Sequence, residues 1–118
     1  MTTVYKICEQ RLWQAAEAVG EFCGSADDAR DGFIHFSTAD QLADTAAKHF
    51  AKQSGLLLIA VDASRLGAQL KWERSRGGAL FPHLYGPLRL DVVRWVRPLP
   101  DEIGGRRQLP QLEAEPQS

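Results

Sequence analysis

Three ionisable side chains stand in contexts that could support chemistry. His35 ends the alternating run Phe33-Ile34-His35, Glu73 lies within Leu70-Lys71-Trp72-Glu73-Arg74, and His83 projects from Phe81-Pro82-His83-Leu84-Tyr85-Gly86-Pro87. Two histidines and a carboxylate can exchange protons near neutral pH, because an imidazole titrates there. The same trio could hold a metal as two histidines and one carboxylate. Spacing favours neither use, since no HxH, HxxxH or HExxH is present. A structural role, with both histidines hydrogen-bonded inside the core, stands beside the two chemical ones.

The elements that must position these residues can be read in order. Thr3-Val4-Tyr5-Lys6-Ile7-Cys8 is rich in β-formers and predicts a first strand. Leu12, Ala15, Ala16 and Val19 recur at helical spacing, so a helix follows over Glu9 to Val19, with Trp13 covering the core and Gly20 as its stop. Glu21 to Gly32 reads as a long irregular segment, of the kind that often carries function, and Asp31-Gly32 as a turn. Alternation then puts Phe33, His35 and Ser37 on one face, with Ile34 and Phe36 toward the core.

Thr38-Ala39-Asp40-Gln41 fits a capping box, and Ala39, Leu42, Ala43, Ala46 and Phe50 carry a second helix to Gly55, with His49 at the flank of its stripe. His35 is thereby fixed between a strand and a helix N-terminus, whose dipole favours an anionic ligand and a neutral imidazole. Leu56 to Val61 is continuously apolar and predicts a strand buried on both faces. Leu70 to Arg74 and Leu90 to Leu99 are further strands, separated by a Gly-containing loop and the Pro-rich His83 segment. From Gly104 onward large apolar groups become few, so a single domain over 1–103 and a mobile tail over 104–118 are expected.

Composition narrows the function classes. Hydrophobic residues make up 44% and charged residues 25%, the balance of a globular domain that needs neither metal nor disulfide to fold. No apolar run is long enough to cross a membrane, and the start lacks a basic region followed by an apolar one, so a cytoplasmic protein is expected. Cys8 and Cys23 form no metal-ligand spacing and read as reduced thiols. The net charge of −1 argues against a nucleic-acid partner. Yet Arg65, Lys71, Arg74, Arg76, Arg89, Arg94 and Arg97 face only Glu73 and Asp91 in the same stretch, which would suit a phosphate-bearing small ligand or a solvated sheet face.

The strings DGFIHFST and FPHLYGPL, with YKI near the start, WE between them and a following VVRWV, resemble a small bacterial family known as domain of unknown function nine-five-two. The resemblance spans Val4 to Leu99, and by fold that family is placed in the ADP-ribosylation superfamily. It implies an α+β, ADP-ribosyltransferase-like fold: two small, mostly antiparallel sheets forming a cleft, with two main helices. It further implies NAD or a related nucleotide as ligand, and cleavage or transfer of ADP-ribose to an acceptor it does not specify. Carried onto this chain, the catalytic positions fall on His35, Glu73 and His83, and the ligand-binding positions on Lys6, Ser37, Thr38, Arg74 and Tyr85. In that scheme Glu73 stabilises an oxocarbenium-like state, Tyr85 stacks on a base, and Arg74 or Lys71 meets the pyrophosphate. No metal is expected.

Two departures bear on the ligand. Lys6 stands where catalytic branches carry His or Arg, and the motif after the strand is Ser-Thr-Ala rather than Ser-Thr-Ser, so another nucleotide or a phosphate could replace NAD. The alternatives are a non-enzymatic nucleotide- or small-ligand-binding module and a metal-dependent hydrolase using His35, His83 and Glu73.

Overall fold

The structure, a computed structural model, describes residues 2–110 and 112. In chain order its elements are β1 (Thr3–Glu9), α1 (Gln10–Val19), β2 (Glu21–Phe22), α2 (Ala26–Asp31), β3 (Ile34–His35), α3 (Leu42–His49), β4 (Leu56–Asp62), β5 (Leu70–Arg74), β6 (Leu80–Leu84), β7 (Leu88–Arg89) and β8 (Val93–Leu99). Short 3-10 turns connect several of them, including Ala39–Gln41 leading into α3. The fold is α+β with small antiparallel sheets: β1-β4-β8, β3-β6-β5 and a two-stranded ladder β2-β7.

Alternation in the first sheet explains two cores. Val4, Cys8, Ile59 and Val61 share one face and pack with Trp13 and Ala16 of α1, Phe22, and Ile34, Phe36 and Leu84 of the second sheet. Tyr5, Ile7, Leu56, Leu58, Ala60 and Leu99 share the other face and pack on Leu42 and Ala46 of α3. The central strand β4 is therefore covered on both sides, as its unbroken apolar run requires. Fully burying side chains such as Phe22, Phe36 and Leu58 is worth about 1.5–3 kcal/mol each.

The expected pair of sheets and pair of helices is incomplete in two places. The stretch taken as irregular contains β2 and a third helix, α2. Ser25 starts α2 with a reciprocal cap: its Oγ accepts from the Asp28 N–H at 3.3 Å, and Asp28 Oδ2 accepts from the Ser25 N–H at 2.9 Å. Gly32, at φ 86°, ends it by donating its N–H to the Asp28 carbonyl at 2.8 Å.

The two three-stranded sheets are joined where Tyr5 and Ser37 exchange backbone hydrogen bonds of 2.8 and 2.9 Å. The space beside this junction, walled by α2, β3, β6 and α3, is the cleft discussed below. Past Gly104, the chain returns to the fold. Arg107 donates to the carbonyls of Phe50, Gln53 and Pro100, and Leu109 and Leu112 pack on the α3 core. The rest of the segment expected to be mobile, residue 111 and residues 113–118, lies outside the described residues. Among the described residues no helix is long and apolar enough to cross a membrane.

Candidate functional site

The β3–β6 ladder sets the site. Its register pairs His35 directly with His83, so both imidazoles leave the same face of the sheet, their ring centroids 5.5 Å apart. Phe33 stacks on His83 at 4.0 Å between centroids and 22° between planes, and also meets His35 at 4.5 Å. These rings form one wall of a cleft of about 620 Å³ that Lys6, Ser37 and Arg74 also line. Clefts of this size suit a small-molecule ligand.

Asp28 organises the α2 side. Its carboxylate is 2% exposed and accepts from Lys6 Nζ at 2.8 and 3.0 Å, His35 Nδ1 at 2.6 Å, the His35 N–H at 3.2 Å and the Ser25 N–H. Burial alone would raise this carboxyl and is the largest single influence. The His35 hydrogen bond, the Lys6 charge and the Lys6 and Ser25 hydrogen bonds together outweigh it and hold the group well below the usual carboxylate range. Gly24 makes room for this arrangement: a Cβ there would sit 2.7 Å from the Asp28 Cβ.

The other imidazole nitrogen of His35, Nε2, lies 3.0 Å from Asp31 Oδ2. Two carboxylates thus face the two ring nitrogens, Asp28 at Nδ1 and Asp31 at Nε2.

His83 is held differently. Its Nδ1 lies 2.8 Å from Glu73 Oε1, which also accepts from the Tyr85 hydroxyl at 2.7 Å. Hydrogen bonds from Tyr85 and then His83 keep the Glu73 carboxyl below its usual range, and the same Tyr85–Glu73 bond raises the phenol. With Nδ1 taken up by the Glu73 carboxylate, the His83 nitrogen that can address a ligand is Nε2. Among the described residues Nε2 has no hydrogen-bond partner, and the ring lines the cleft.

The candidate residues therefore divide. His35, His83, Lys6, Ser37 and Arg74 all line the cleft. Glu73 and Tyr85 are not part of the lining; Glu73 meets it through His83, and Tyr85 through its 5.2 Å ring contact with Phe33. Thr38 is also outside the lining, and its N–H donates to Gln41 Oε1 at 3.0 Å, so it serves the helix start. Ser37 Oγ is 2.9 Å from Thr45 Oγ1, and Arg74 donates to the Gly78 carbonyl. Sequence reasoning missed Asp28 and Asp31 as partners of His35; the signal available was Ser25 three residues before Asp28, a cap for a helix that Gly32 closes. No group of three His, Cys, Asp or Glu side chains that could hold a metal occurs among the described residues.

Fold and site together define a small α+β domain with a paired-histidine cleft. Residues 7–96 match the family described as protein of unknown function DUF952, and the chain belongs to that family. It is similar to protein CC0527 from Caulobacter crescentus, at 50% identity. The crystal structure of that protein gives a TM-score of 0.87 over 91% of this chain and 94% of that one. Its solution NMR structure gives 0.79 over 91% of each chain. No curated protein matches the chain.

Proposed function

We propose that the cleft binds NAD or a related nucleotide, and that the domain cleaves the nicotinamide glycosidic bond and passes ADP-ribose to an acceptor. The observation that carries this reading is the pairing of His83 and Phe33 on the cleft wall beside His35, with Glu73 holding His83 from behind. A flat heterocycle can stack beside Phe33, while Arg74 meets a phosphate and Lys6 and Ser37 bound the ligand from the β1 side. The acceptor oxygen forms its bond to C1′ of the ribose as the C1′–N bond breaks. Its proton passes to His83 Nε2, and nicotinamide leaves neutral with the bonding pair. Glu73 acts as a positioning residue that sets the His83 tautomer, and its remaining charge favours the oxocarbenium-like state.

A second reading, a binding module without turnover, is favoured by one specific fact: Lys6 and His35 are both already bonded to Asp28. Calorimetry with NAD, together with nicotinamide release followed by chromatography, tests both. The first reading expects binding and release by the wild type, and binding without release by His83→Gln. Binding with no release by either protein supports the module, and no binding overturns both.

A further inference from the structure

We infer that the Asp31 carboxylate holds the place of a ligand oxyanion, and that Arg30 and His35 Nε2 form a subsite for a phosphate or carboxylate group. Three observations carry this. Asp31 is the last residue of α2, where the helix end disfavours a negative charge, so the side chains beside it must hold it. Those partners are Arg30, whose Nε donates to Oδ1 at 3.1 Å, and His35, whose Nε2 lies 3.0 Å from Oδ2. The hydrogen bond from Arg30, then its charge, outweigh partial desolvation and keep Asp31 below the usual carboxylate range.

The group is also free to leave. Asp31 and His35 are about one-third exposed, all three residues line the cleft, and Gly32 follows at φ 86° with open space around it. Displacement of Asp31 frees Arg30 Nε and His35 Nε2 side by side for an incoming oxyanion, while Arg30 Nη1 keeps its 3.2 Å pair with Asp27 Oδ1. By contrast Asp28 is buried and saturated, so it stays in place and keeps its 2.6 Å contact with Nδ1 while Nε2 changes partner.

The inference rests on the cleft being a ligand site and adds that the ligand carries an oxyanion on the α2 side. The probe is inorganic phosphate, titrated against the full chain while the His35 ring resonances are followed. Asp31→Asn and Asp31→Ser, each confirmed folded by thermal melting, should bind phosphate about fivefold more tightly than the wild type. Glu17→Gln, which removes the same charge from the exposed side of α1, should bind as the wild type does. His35→Gln should lose the gain when combined with Asp31→Asn. Equal tightening by Glu17→Gln, unchanged affinity in both Asp31 variants, or phosphate shifts that bypass His35 would overturn it. If NAD fails to bind while phosphate behaves as expected, the nucleotide reading falls and this inference stands. If NAD binds and the Asp31 variants change nothing, the reverse holds.

Discussion

His35 and His83 face each other across one antiparallel ladder, yet each is oriented by its own carboxylate, His35 Nδ1 by Asp28 at 2.6 Å and His83 Nδ1 by Glu73 at 2.8 Å. Pairing two like side chains with two different acids sets them apart: one ring sits among anions, while the other presents a free nitrogen to the cleft. Acid and base roles are divided between identical residues by such asymmetry of surroundings.

Asp28 should matter more to stability than any other charged group of the site. Asp28→Ala strands the Lys6 ammonium, 7% exposed, and is expected to cost about 3–5 kcal/mol in urea unfolding. Adding Lys6→Met should recover much of that loss, because no buried charge then lacks a partner. A double variant as unstable as Asp28→Ala alone would show that Lys6 is not the group left stranded.

Acid should unfold the protein through the same residue. The Asp28 carboxyl is depressed in the folded state, so its contribution is complete above the unfolded value, about 3.9, and is lost as the pH falls further. Stability measured against pH should therefore hold above about pH 5 and decline below about pH 4. In Asp28→Asn the decline should be shallower, since one group no longer takes up a proton on unfolding.

Gly24→Ala should be more damaging than Gly86→Ala. At Gly24 the new Cβ meets the Asp28 Cβ at 2.7 Å and the backbone sits at φ +104°, so a cost of about 1–3 kcal/mol is expected. At Gly86 the close neighbour is the far end of the Gln69 side chain, which can swing aside. Melting temperatures of the two variants give the order directly.

The two cysteines should label in sequence. Burial pushes the Cys8 thiol up to about 11 and closes it off, while Cys23 is exposed. Iodoacetamide on the native protein at pH 8 should modify Cys23 alone, and Cys8 only after unfolding, as read by peptide mass spectrometry.

How much of this could be read beforehand depended on the length of each signal. The strand at Leu56–Asp62 and the facing of His35 away from Ile34 and Phe36 follow from runs of apolar and alternating residues, which leave few choices. The helix α2 is six residues long and contains no large apolar side chain, so no periodicity marks it, and its buried anchor is an aspartate. The β2–β7 ladder, two residues a side, is likewise too short to show in composition. The His83–Glu73 bond depends on which strand lies beside β6, a question of topology that spacing along the chain does not contain. The two carboxylate partners of His35 were out of reach for the same reason, since Asp28 and Asp31 approach the ring only once α2 exists.

The most direct test of the cleft as a nucleotide site is the imidazole nitrogen spectrum during titration with NAD. The chain has three histidines, so each ring can be assigned. The account predicts that NAD shifts His83 Nε2 and His35 Nε2 while both Nδ1 nitrogens keep their protons against Glu73 and Asp28. Unchanged rings at NAD concentrations that saturate a calorimetric titration, or no binding at any concentration, would contradict it.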